Sequence, residues 1–196
     1  MPRSQRPAIP RFTHRVSWNQ VELILNTKSY VQLCKEFPDD QFNILSHYLS
    51  FATKCFGPIT TGNSYQHLHL IAPIIICVCF LFNGEEDLGG DFVNAHGHFE
   101  FVLRRGDKQV CIVEAKMDDM EQRTVQALLG CEVAAEIGHL DILYGIITNY
   151  IQWNFLRSLD DKIELEGCIL NPSKEELAKT CLLQITGKIY AMLSDE

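Results

Sequence analysis

The stretch His98–Lys116, HFEFVLRRGDKQVCIVEAK, decides the fold. Phe99, Phe101 and Leu103 alternate with His98, Glu100, Val102 and Arg104. Beyond Gly106-Asp107-Lys108, Cys111, Val113 and Ala115 alternate with Ile112, Glu114 and Lys116. A period of two is the mark of a strand with two distinct faces, and a glycine-bearing turn between two such runs predicts an antiparallel hairpin. A three-residue loop at 106–108 sets Glu100 directly opposite Glu114, with side chains ~5 Å apart. Two like charges at that separation destabilise a sheet unless something sits between them. A divalent cation would serve, since Mg²⁺ is commonly held by one or two carboxylates together with water and substrate phosphate. Lys116 emerges on the face of Glu114, within reach of an anion or an attacking water.

The flanks of this hairpin read as alternating helices and strands. Asn83–Gly97 is rich in Gly, Asp and Glu and reads as a loop, with a short strand at Asp91–Asn94. After Lys116, Asp118-Asp119 caps a helix running to about Ile137 and stopping at Gly138. Gln122 and Gln126, four apart, share one side of it. Ile142–Thr148 is too continuously apolar for an edge strand and belongs in the middle of a sheet. Trp153–Leu159 and Ile163–Ile169 add extended segments, and Ser173-x-x-Glu176 is a capping box opening a last helix. Upstream, Ser17-x-x-Gln20 opens a first helix that carries Glu22, and a second helical segment is expected from Ser29 to Phe37. Pro38-Asp39-Asp40 starts a further helix, which Gly57-Pro58 ends. Leu68–Phe82 is the most apolar run; it is shorter than the ~20 residues a bilayer demands and reads as a buried helix, with a central strand as the alternative. The fold class is therefore α/β (α+β), with a central mixed sheet of about four strands flanked by helices.

Composition sets limits on function. The chain has 196 residues, 46% hydrophobic and 21% charged, which suits a globular domain over 17–196 behind a basic, flexible arm at 1–16. Its formal net charge of −8 argues against a broad cationic surface, the usual footprint of nucleic-acid binding. Most of the eight cysteines lie inside apolar runs, so free buried thiols in a reducing compartment are expected. His67-x-His69 and Cys77-x-Cys79 do not have the spacing of a structural zinc site. No secretory signal or membrane span is visible, which points to the nucleus or cytoplasm.

Glu114-Ala115-Lys116 at the end of an apolar strand resembles the PD-(D/E)XK nuclease superfamily, whose core is the restriction-endonuclease-like fold. Gln122 and Gln126 on the next helix, then Tyr144-Gly145-Ile146-Ile147-Thr148 and Trp153-Asn154-Phe155, extend the likeness from about Glu100 to Phe155. Within the superfamily the chain is similar to the nuclease-like domains of fungal and oomycete Crinkler-type effectors. The resemblance implies a Mg²⁺- or Mn²⁺-dependent endonuclease acting on nucleic acid, DNA ahead of RNA, and leaving a 5′-phosphate. It implies that Glu100, Glu114 and the Ala115 carbonyl ligate the metal, that Lys116 positions water, and that Gln126 assists. Gly90-Asp91-Phe92-Val93 resembles another superfamily motif and makes Asp91 the alternative first acid, while Glu22 is a further metal candidate. Glu100 stands where most members carry Asp. That departure, with the acidic net charge, supports an alternative: a nuclease-like scaffold without turnover, acting as a protein- or nucleic-acid-binding effector module. A homodimer or protein partner fits either reading, and a membrane fits neither.

Overall fold

The computed structural model describes residues 27–57, 64–82, 101–105, 108–114, 120–170 and 175–194. In chain order these form β1 (Thr27–Ser29), α1 (Asp39–Phe56), α2 (Ser64–Phe80), β2 (Phe101–Arg105), β3 (Lys108–Glu114), α3 (Met120–Gly138), β4 (Leu143–Thr148), β5 (Gln152–Ser158), β6 (Ile163–Ile169) and α4 (Glu175–Leu193). The strands join one mixed sheet in the order β1-β6-β5-β4-β3-β2. Among the described residues the sheet has six strands, not about four. The unexpected strand is β1, which pairs in parallel with β6; β6 is the extended segment expected at Ile163–Ile169, and it continues the sheet beyond β5.

Both faces of the sheet are covered. On one side α3 lays Val125, Leu128, Leu129 and Cys131 over Leu143, Ile147, Leu156 and Ile163. On the other, α1, α2 and α4 pack Leu45, Leu49, Ile71, Ile74, Ile185 and Ile189 over Ile146, Trp153 and Phe155. The expected buried helix is α2, which also takes in Ser64–His67 and carries Pro73 in its interior. Gly57, at φ 75, ends α1 in the left-handed region that glycine tolerates.

The structure corrects the expected helix over Ser29–Phe37. Residues 30–38 form no helix; they follow β1 as extended chain. Val31 and Leu33 are exposed while Gln32 is buried, the alternation of an extended segment. Distant partners satisfy the backbone: Tyr30 N–H donates to Leu165 O (3.3 Å), Gln32 N–H to a Glu166 carboxylate oxygen (2.7 Å) and Lys35 N–H to Gly187 O (3.1 Å). Tertiary bonding overrides the local helical pattern. Gly187 permits the approach, because a Cβ there would stand 2.5 Å from Lys35 O and 2.6 Å from Cys34 Sγ.

A chain of charges runs beneath this segment. Lys188 pairs with Glu166, and Arg157 and Lys162 both pair with Glu164. The Arg157 guanidinium also lies over the Tyr30 ring, 5.3 Å from its centre. Burial alone would raise the Glu164 pKa, but the hydrogen bonds and charges of Lys162 and Arg157 outweigh it and hold the carboxyl below the usual glutamate range.

Two outcomes follow from this packing. Gly187→Ala is expected to cost about 1–3 kcal/mol through overpacking, read by urea denaturation, with residues 30–38 the first to lose amide-exchange protection. For Glu164, a depressed folded-state pKa means stability present above ~pH 4.3 and lost as pH falls through the lower folded value. Glu164→Gln should therefore flatten the acid limb of a stability-versus-pH curve; an unchanged limb would show that the ion pairs carry no linkage.

Candidate functional site

The site expected from sequence lies where β3 ends. Glu114 is the last residue of β3, and its Cα partner on the parallel strand β4 is Thr148, itself the last residue of that strand. Parallel neighbours need a crossover connection, and α3 supplies it. The pieces quoted for the resemblance thus occupy consecutive places. Glu114 closes β3, Gln122 and Gln126 ride on α3, Tyr144–Thr148 lie within β4, and Trp153–Phe155 lie within β5. β4 and β5 pair antiparallel, Ile146 with Phe155 and Thr148 with Trp153.

The register of the hairpin differs from the expected one. Phe101 pairs with Ile112, Val102 with Cys111, Leu103 with Val110 and Arg105 with Lys108. Only two residues then separate the strands, not three, and even-numbered positions of β2 face odd-numbered positions of β3. The three-residue loop that sets Glu100's row against Glu114's row is therefore ruled out for the described ladder. The physical reason is the link: a two-residue connection is the commonest in hairpins, and the apolar residues of the two strands meet in this register as well, Phe101 with Ile112 and Leu103 with Val110. Opposed carboxylates are thus no longer the argument for a cation here. Glu22, Asp91, Glu100, Ala115 and Lys116 lie outside the described residues, and Glu114 is described through its backbone.

Gln126 is described and half-buried. Its side-chain oxygen accepts a hydrogen bond from the Arg123 guanidinium at 3.2 Å, a contact within one helical turn that the sequence reading did not anticipate. The first turn of α3 is held over β5 because Thr124 Oγ1 donates to Met120 O (2.7 Å) and accepts from Asn154 Nδ2 (3.4 Å). Deeper along the interface, the buried Glu132 accepts from the Ser158 hydroxyl.

The turn after β4 has a fixed architecture. Asn149 Oδ1 accepts from the N–H groups of Ile151 (3.0 Å) and Gln152 (2.7 Å), an Asx-type closure. Tyr150 N–H donates to Thr148 Oγ1 (2.9 Å), and Trp153 Nε1 donates to Tyr150 O (2.7 Å). These bonds hold Tyr150 at φ 72, a left-handed conformation uncommon outside glycine. Asn149 Nδ2 is buried and has no hydrogen-bond partner among the described residues. A buried orphan donor costs ~1–3 kcal/mol. It stands one residue past the partner of Glu114. The sequence marked 149–152 as a turn; the left-handed tyrosine and the orphan amide carried no sequence signal.

Among the described residues no group of three or more His, Cys, Asp or Glu could hold a metal ion. The described cysteines, Cys34, Cys55, Cys77, Cys79, Cys131, Cys168 and Cys181, are free thiols as expected, but Cys34 and Cys55 are exposed, not buried. Burial raises Cys77 and pushes Cys79 up to about 11, so neither is a ready thiolate. Among the described residues no helix is long and apolar enough to cross a membrane.

Asn149→Ala should lose both turn hydrogen bonds and cost about 2 kcal/mol, measured by chemical denaturation. It should also release Tyr150, visible as increased tyrosine exposure in near-ultraviolet circular dichroism.

No family model matches this sequence, and no solved structure matches it. Over 185 residues the chain is 37% identical to Crinkler effector protein 5 of Phytophthora infestans, an alignment covering 91% of this chain and 53% of that protein. The chain is thus similar to a Crinkler effector across nearly all of its own length, and spans about half the length of that curated relative.

Proposed function

We propose that the chain carries a metal-dependent phosphodiesterase site for nucleic acid, DNA ahead of RNA, at the shared ends of β3 and β4. The observation that carries this reading is the position of Glu114, the first residue of the Glu114-Ala115-Lys116 motif. The motif begins at the last residue of an interior strand, beside a central strand and ahead of a helix bearing Gln126, in a mixed sheet covered on both faces. Glu114 and the Ala115 carbonyl would hold a Mg²⁺ or Mn²⁺ ion with a second acid, chosen from Glu100, Asp91 and Glu22. The bound cation would polarise a phosphoryl oxygen and lower the pKa of its water. Lys116 would orient that water and balance charge on phosphorus, and Gln126 would steady either partner.

A specific observation favours a second reading. The relative is named an effector, and the formal net charge of −8 is unfavourable for gripping a polyanion. In this reading the scaffold binds a protein or nucleic acid without turnover.

One assay separates the two. Purified protein is incubated with supercoiled and linear DNA in Mg²⁺, in Mn²⁺ and in EDTA. The enzyme reading expects metal-dependent nicking that falls at least ~100-fold in Glu114→Ala and Lys116→Ala and about tenfold in Gln126→Ala. Among Glu100→Ala, Asp91→Ala and Glu22→Ala, the one that matches Glu114→Ala identifies the second acid. Intact DNA in every lane, with no cation bound by calorimetry, establishes the scaffold.

A further inference from the structure

A cavity of about 410 Å³ opens between α1, α4 and the turn that joins β4 to β5, well within the range of small-ligand sites. Its described walls divide by chemistry. Ser46, Ser50 and Lys54, spaced four apart, present one side of α1, and Lys179 adds a second cation from α4. Leu49, Leu170 and Leu182 provide an apolar floor. No Asp or Glu lines it among the described residues, although the formal net charge of the chain is −8.

Tyr150 completes the wall. It is 5% exposed, and its phenol makes no hydrogen bond to any described residue. Its backbone is held left-handed by Thr148 on one side and Trp153 on the other. Strain of this kind persists only where the surroundings over-determine it, and it concentrates at ligand-contacting positions. Burial pushes the phenol pKa up to about 12, so the group remains an O–H donor through neutral pH. A phenol O–H at the wall, the Lys54 and Lys179 side chains, the Ser46 and Ser50 hydroxyls and an apolar floor together suit an oxyanion attached to an apolar body.

We propose that this cavity binds a small amphipathic organic anion, its oxyanion taken by Tyr150, Lys54 and Lys179 and its apolar part laid on Leu49, Leu170 and Leu182. The site needs no metal and does not depend on the phosphodiesterase reading.

The test is calorimetric titration of the full chain at neutral pH, with neither divalent metal nor nucleic acid present. The probes are phenyl phosphate, benzoate, inorganic phosphate and benzyl alcohol. At least one of the two aromatic anions should bind one site saturably, and the stronger of them identifies the oxyanion. Inorganic phosphate and benzyl alcohol should each bind at least tenfold more weakly. Tyr150→Phe keeps the ring and the fold and should weaken binding about tenfold. The double variant Lys54→Glu/Lys179→Glu changes exposed residues and should abolish it. The proposal is overturned if neither aromatic anion saturates at millimolar concentration, if inorganic phosphate or benzyl alcohol binds as well as they do, or if Tyr150→Phe binds like the wild type.

Discussion

Strand β4 is hidden from water on both faces, and the rest of the structure follows from that burial. Leu143, Ile146 and Ile147 are fully inaccessible, and so is Thr148 at the strand's end. Ile147 faces the layer built by α3, while Ile146 faces the layer built by α1, α2 and α4. Full burial of each such side chain is worth ~1.5–3 kcal/mol relative to exposure. A strand apolar on both sides can sit only in the interior of a sheet with helices above and below. β3 and β5 flank it, one parallel and one antiparallel. Gly145 is part of the same constraint, since a Cβ there would lie 2.7–2.9 Å from three atoms of the Leu156 side chain on β5.

That central strand also positions the chemistry. Its parallel partner β3 ends level with it, so Glu114 and Thr148 are paired and the turn 149–152 follows directly. Because Thr148 is buried, its hydroxyl turns inward and accepts from Tyr150 N–H. Trp153, buried in β5, reaches back to the Tyr150 carbonyl. A rigid, strained turn is thereby built at one end of the sheet from three side chains that also belong to the core. Substrate-binding groups are commonly carried on such loops at the edge of a rigid scaffold. The end of β3 and the cavity beside Tyr150 therefore share one structural origin.

The far end of the sheet is fastened differently. There the extended chain after β1 is held by Glu166, Leu165 and Gly187. Such partly buried ion pairs contribute little net stability on their own, because desolvation and solvent screening offset most of the attraction. Their value at this end is in alignment. Lys188 must meet Glu166, and Glu164 must meet both Arg157 and Lys162, so α4, β5 and β6 have one mutual register.

Elements with strong periodicity were legible in the sequence. The apolar run 142–148, the helix ending at Gly138, the helix opened by Pro38-Asp39-Asp40 and the α2 segment all carry their own pattern of burial, and that pattern is local. The strand-end position of Glu114 was legible for the same reason. Three features were not. Residues 30–38 became extended because Leu165, Glu166 and Gly187, all far away in sequence, bond to them. The hairpin register moved by one residue because a two-residue link prevailed over the three-residue loop. The left-handed Tyr150 and the orphan amide of Asn149 exist only once β4 and β5 are packed. Periodicity fixes which residues seek the core, since it depends only on each residue's neighbours along the chain. Register, strain and cavities depend on which distant atoms arrive beside them, and only the tertiary structure decided those.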